Sequence, residues 1–287
     1  MNCLRVFNEF IIIFAPKSFI MTLQKWIKDR AIHGFPTFSI EDVRETGMYS
    51  SEQILQNELY RLCSNKTIAS VYRGFYVIIP VQYVLRGSVP ATYYIDQLMA
   101  YLSKPYYVCM LSAAELLGAA HQRPQQFSVM TTFPKRRVVS TRNVIIDWFY
   151  REVLPEDALI TKNTETGTIR ISNPLLTAAD LVQYQQHVGG LSLVATILEE
   201  LSEQINIKSQ FASLASFVKK VTWQRLGYIL EHVVEENELA DELYEQIRNL
   251  PGSLMYMPFS TSAEDNTSER NSRWKIKINV QIEKDDL

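Results

Sequence analysis

TIASVYRGFYVIIP, residues 67–80, is the stretch that decides how the front of this chain folds. Thr67–Val71 and Phe75–Ile79 are both rich in β-branched and aromatic residues, and Tyr72-Arg73-Gly74 between them supplies a glycine for the positive φ of a tight hairpin. Pro80 closes the second strand. Upstream, the period of the apolar residues changes from two to that of a helix. Thr22–Ile32 (TLQKWIKDRAI) repeats Leu23, Trp26, Ile27 and Ala31 at helical spacing, and His33-Gly34 with Pro36 stops it. Ser39 with Asp42 reads as a capping box before a two-turn helix that ends at Gly47. Ser50 with Gln53 caps a third helix, whose apolar stripe Ile54, Leu55, Leu59 and Leu62 runs to about Cys63. Three helices followed by a hairpin predict a winged helix-turn-helix over residues 22–86, with the third helix in a DNA major groove and the hairpin on the backbone.

Opposite that stripe, the third helix presents Ser51, Gln53, Gln56, Asn57, Tyr60 and Arg61. Gln and Asn can bond adenine edges bidentately, and Arg can do the same to guanine, so these types suit base readout. Lys66, Tyr72 and Arg73 lie on or beside the hairpin, where phosphate contacts would position the domain. Glu52 and Glu58 on the same helix work against an anionic partner. The competing reading of this face is a solvated surface on a protein-docking module.

Residues 91–287 read as a second, mixed unit, which makes the chain α+β. Tyr93–Leu102 is a helix candidate, and Ser112 with Glu115 caps a helix over Ala113–Ala120 with His121 at its end. Strands are expected at Gln126–Thr132, Arg137–Ser140, Val144–Tyr150, Leu159–Thr161 and Thr168–Ser172. Asn173-Pro174 caps LLTAADLVQY, and helices continue through LSLVATILEEL, SQFASLASFVKK, WQRLGYILEHVV and ELADELYEQIRNL to Pro251-Gly252. After a polar, turn-rich loop at Ser260–Ser272, Trp274, Ile276, Ile278, Val280 and Ile282 alternate with polar residues, which predicts a half-buried strand added to the central sheet.

With 287 residues, 47% of them hydrophobic, the chain has material for two packed domains rather than a disordered or fibrous architecture. The net charge of −2 is uneven: residues 1–90 carry ten Lys/Arg against seven Asp/Glu, and residues 201–287 carry ten against fourteen. A basic front and an acidic back fit a first domain that meets an anion, with Lys135, Arg136, Arg137 and Arg142 as a second basic patch. Phe10–Ala15 is too short for a membrane span, and Glu9 breaks a signal-like pattern, so residues 1–21 read as an extension outside the fold. Cys3, Cys63 and Cys109 lack a Cys-x-x-Cys pair, and His33, His121, His187 and His232 are far apart, so no cofactor and no metal are expected, and the cytosol is the expected compartment.

No dinucleotide, Walker, nucleophile-elbow or zincin motif occurs. Cys109 with His121 is the only nearby nucleophile–base pair, and Asp147, Glu165 and Asp180 are the acids that a metal-dependent nuclease would use. That nuclease or hydrolase reading, and a winged-helix protein-interaction scaffold, are the rivals to a DNA-binding function.

Taken together, YRGFYVIIP, the block YYVCMLSAAELLGAAHQRPQQFSVMTT, the segment SNPLLTAADLVQY and the following HVGGL resemble the AbiEi-type antitoxins of bacterial abortive-infection (AbiE) toxin–antitoxin modules over about residues 22–282. The resemblance implies a non-enzymatic two-domain protein: a winged helix at 22–86 that represses the operon from its own operator, often as two copies on inverted repeats, and an antitoxin domain at 91–287. It implies as partner a nucleotidyltransferase-like toxin, neutralised without a stable complex in some members.

Overall fold

Every position of Phe75–Ile79 is apolar, and in a strand that pattern means burial on both faces. The computed structural model, which describes residues 22–120, 124–134, 145–260, 263 and 269–282, bears this out. Helix α1 (Leu23–Ile32) is capped by the Thr22 hydroxyl, strand β1 (Thr37–Ser39) follows, and α2 (Ile40–Glu45) opens with the Ser39–Asp42 capping box. Then come α3 (Glu52–Ser64), β2 (Ile68–Tyr72) and β3 (Phe75–Ile78). The three strands pair antiparallel in the order β1-β3-β2, so β3 is central. Tyr76 and Ile78 on one face of β3 pack with Leu55, Leu59 and Leu62 of α3, while Phe75 and Val77 on the other join a different core.

That second core contains Val89, Ala91, Tyr94 and residues of α4 (Ile95–Tyr101), together with the central sheet of the rest of the chain. The sheet is built from β4 (Tyr106–Val108), β5 (Gln126–Thr132), β6 (Ile145–Arg151), β7 (Leu159–Thr164) and β8 (Gly167–Ser172) in the order β6-β5-β4-β8-β7. Its outer pairs are β5–β6, parallel, and β7–β8, antiparallel. Strand alternation assigns its two faces. Tyr106, Val108, Val129, Ile169 and Ile171 meet α4 and the hairpin, whereas Tyr107, Met130 and Phe149 meet a helical layer. The hairpin and the sheet therefore share one core, where a break at residues 80–90 predicted two separate ones. The cause is β3, whose second apolar face needs a cover that α1–α3 cannot provide.

The helical layer comprises α5 (Met110–Leu117), α6 (Pro174–Gln183), α7 (Leu191–Ser202), α8 (Ile207–Gln210), α9 (Lys220–Ile229) with a π-turn at Leu230–Val234, and α10 (Asn237–Arg248). Several expectations are corrected here. The helix after Pro105 starts at Met110 behind Cys109, and Ser112 is buried inside it, where its hydroxyl accepts from the Ser128 N–H at 3.0 Å. The helix predicted over Tyr93–Leu102 starts only at Ile95, and SQFASLASFVKK is one short helix followed by turns. The terminal run does not join the central sheet: β11 (Ile276–Lys277) pairs with β9 (Met257–Pro258) and β10 (Arg270–Asn271) in a small sheet of its own. Its half-burial holds, since Trp274 and Ile276 are fully buried. The expected strand at 137–140 and His121 lie outside the described residues, as do residues 1–21.

Candidate functional site

Helix α3 begins one residue later than its sequence suggests. Ser51, not Ser50, is the N-cap, with extended backbone and no side-chain cap bond. Leu55, Leu59 and Leu62 face the core at 1–2% exposure, as their spacing requires, but Ile54 is 54% exposed. The stripe therefore starts at Leu55, and Ile54 belongs to the outward face with Gln53, Gln56, Asn57, Tyr60 and Arg61. Much of this face is internally bonded. The Gln53 amide donates to Asn57 Oδ1 at 3.2 Å, Gln56 donates to Glu52 at 3.0 Å, and Arg61 pairs with Glu58 at 2.6 Å. Arg44 of α2 grips Glu52 at 2.7 Å, so one ion pair bridges the turn between the two helices. Hydrogen bonds from these arginines hold the carboxyls of Glu52 and Glu58 below the usual glutamate range. Both acids that oppose an anionic partner are thus already paired.

The hairpin residues are distributed differently. Lys66, in the left-handed region at φ 55°, reaches the Leu85 carbonyl at 3.4 Å. Tyr72 is half-buried with its ring edge-on to Tyr101 at 6.3 Å, and the Tyr101 hydroxyl donates to the Arg73 carbonyl at 3.4 Å. Gly74 has φ 76°, and a Cβ there would stand 3.1 Å from the Tyr101 hydroxyl and 3.3 Å from the Ile40 side chain. The hairpin tip is therefore docked between α2 and α4, and of its residues the Arg73 side chain remains exposed. The basic set Lys135, Arg136, Arg137 and Arg142 lies outside the described residues.

The acids of the nuclease reading do not converge. Asp147 is on β6, and Glu165, in the β7–β8 turn, accepts from the Tyr83 hydroxyl at 2.8 Å. Asp180 of α6 is fully buried, ion-paired to Arg151 of β6 and bonded by the Tyr107 hydroxyl of β4 at 3.0 Å. Among the described residues no group of His, Cys, Asp and Glu is placed to hold a metal ion. Burial pushes the Asp180 carboxyl above its ordinary range while Arg151 and Tyr107 act against that. Burial also opposes the charge on Arg151, and Asp180 and Tyr107 more than offset it, so the guanidinium stays charged. Arg151 also donates to the Phe217 carbonyl at 3.2 Å, which ties the sheet, α6 and the 211–218 turns together. Cys109 is fully buried, and burial raises its thiol well above the usual range. This centre is a structural clamp. Sequence spacing offered no signal for it, because its three members come from β4, β6 and α6.

Among the described residues no helix is long and apolar enough to cross a membrane. No curated protein matches the sequence. The fold is similar to that in a crystal structure of the RV2827C protein from Mycobacterium tuberculosis, with a TM-score of 0.65 and 12% identity over 88% of this chain and 89% of that one. Residues 106–232, from β4 into the π-turn after α9, match the family model of the AbiEi antitoxin C-terminal domain. That span holds the whole central sheet and the Tyr107–Arg151–Asp180 clamp. Over this span, a little under half of the chain, the protein is similar to the C-terminal domain of AbiEi antitoxins.

Proposed function

We propose that residues 22–86 are a winged helix-turn-helix that binds the operator of the chain's own operon and represses it, and that residues 91–287 neutralise a nucleotidyltransferase-like toxin. The observation that carries the DNA-binding part is the α1–β1–α2–α3–β2–β3 order, with α2 and α3 joined by Arg44–Glu52 and the outward face of α3 built from amide and guanidinium side chains. Within this reading Gln53, Gln56, Asn57 and Arg61 face base edges, with Ser51 and Tyr60 beside them. Lys66, Tyr72 and Arg73 serve the phosphates, Tyr72 in the reduced measure its packing on Tyr101 allows. Two copies on inverted repeats fit a helix-turn-helix read twice along one face of the duplex. The toxin's chemical class follows from the family resemblance.

Gel-shift titration against the DNA upstream of the reading frame tests this. Binding is expected to weaken steeply with salt, with a log–log slope of about −0.9 for each phosphate neutralised. A flat salt response removes the electrostatic footing of the reading. Asn57→Ala is expected to weaken specific binding by about 1–3 kcal/mol and to leave binding to unrelated DNA unchanged.

Glu58→Gln makes the opposite prediction. Arg61 is held by Glu58, so releasing it frees a base-reading cation and removes a negative charge from the face. Operator affinity is expected to rise by about two- to fivefold, the range set by breaking one exposed ion pair. The same titration measures it, and weaker binding by the variant would show that Glu58 holds Arg61 in its working position.

A further inference from the structure

We propose that Ile54 reads thymine, its side chain packing against the 5-methyl group of a thymine in the major groove of the operator. The inference rests on the DNA-binding reading of α3 and adds to it an apolar contact that the polar face alone would lack. A single exposed isoleucine is ordinary on a protein surface. What distinguishes this one is its place. Ile54 is the third residue of α3, and it is the N-terminal residues of a recognition helix that meet base edges. It shares one row of the helix surface with Asn57 at i+3, Glu58 at i+4 and Arg61 at i+7, so an apolar side chain sits beside hydrogen-bonding groups suited to adenine and guanine. The thymine methyl is the apolar feature among the major-groove base edges, and it lies next to the adenine that an Asn in the same row would bind.

The surroundings agree with this assignment. The flanking acids are paired, Glu52 with Arg44 and Glu58 with Arg61, so no unpaired carboxylate next to Ile54 opposes an approaching duplex. The core does not need Ile54 either, since Leu55, Leu59 and Leu62 already fill the contact with Tyr76 and Ile78. An isoleucine is also shorter than Gln or Arg. A methyl contact from it therefore places the start of α3, rather than its middle, deepest in the groove, and leaves Tyr60 two turns on nearer the backbone.

The test uses the full chain and two copies of the upstream DNA, one natural and one synthesised with deoxyuridine triphosphate so that every thymine loses only its methyl group. The wild-type protein is expected to bind the uracil duplex more weakly, by about fourfold for each methyl it covers. Ile54→Ala is expected to bind the natural duplex more weakly by a similar factor and to lose less than the wild type does when the methyl groups are removed. Any effect of methyl loss on DNA shape acts on both proteins alike and cancels in the comparison. Equal binding of the wild type to both duplexes, or equal sensitivity in Ile54→Ala, overturns the assignment. No binding of the wild type to the natural duplex at low salt overturns the DNA-binding reading itself. Position 54 is exposed, so the variant is expected to keep the wild-type melting curve, which circular dichroism checks.

Discussion

Asp180→Ala is expected to remove about 3–5 kcal/mol of unfolding free energy, the usual result of stranding one member of a buried ion pair. The carboxylate is fully buried and takes Arg151 on one oxygen and the Tyr107 hydroxyl on the other. Its removal leaves a guanidinium with a side chain only 10% exposed, whose Nε has no hydrogen-bond partner among the described residues. The Phe217 carbonyl satisfies one Nη group, which does not replace the lost charge. In a chain of this size the loss corresponds to a fall in melting temperature of about 10 °C. The informative companion is Asp180→Leu combined with Arg151→Met, which removes both charges and retains most of the volume. It is expected to recover a large part of the loss, because a buried pair replaced by apolar side chains is often close to neutral. Urea unfolding followed by circular dichroism decides the matter. A double variant no more stable than Asp180→Ala would mean that packing, not uncompensated charge, sets the cost.

The elements legible in the sequence were those specified locally. The Ser39–Asp42 box, the Asn173-Pro174 start of α6 and the turn of the hairpin around Gly74 all form from residues within four positions of each other. Three-residue strands were not legible in this way. β1 and β4 are fixed by their partners β3 and β5, and YYVCML reads equally as a buried strand or a helix. The Ser112-x-x-Glu115 spacing resembles a cap, but its serine is spent on the backbone of β5. Alternation over Trp274–Ile282 correctly signals one buried face and carries no information on which strand pairs with it, so the run was assigned to the wrong sheet.

The candidate site divides along the same line. Residue types on the outward face of α3 could be read from helical periodicity, apart from Ile54, because a wheel places it near the boundary of the Leu55–Leu59–Leu62 stripe and only the position of β3 fixes that boundary. The pairing of Arg44 with Glu52 and the docking of Tyr72 on Tyr101 depend on how separate elements pack. Periodicity is silent on both.

Gly227→Ala is expected to cost about 3 kcal/mol, although the same exchange within an exposed helix normally stabilises by about 1 kcal/mol. Gly227 lies in α9 with the Trp274 ring laid against its backbone. A Cβ added there would stand 2.0 Å from Cζ3 and 2.2 Å from Cη2 of that ring. The ring has nowhere to go. Trp274 is fully buried, its Nε1–H donates to Glu231, Tyr244 packs edge-on at 5.3 Å, and Gln224 donates to its carbonyl at 2.7 Å. Arg225 adds two bonds to the Pro258 carbonyl, so α9 grips the small C-terminal sheet at several points along one face. This sheet lies beyond residue 232, where the family match ends, and Gly227 and Trp274 therefore join the matched span to a segment outside it. The first consequence of the added methyl is expected to be release of residues 257–282 rather than collapse of the central sheet. Limited proteolysis should then cut the variant near Pro251–Tyr256 at protease levels the wild type withstands, with the tryptophan emission shifted to the red. Trp274→Leu in the Gly227→Ala background should restore part of the stability by making room for the methyl group. A Gly227→Ala protein as stable and as resistant as the wild type would show that the ring and α9 can separate without cost, and that the C-terminal sheet is held by its polar contacts alone.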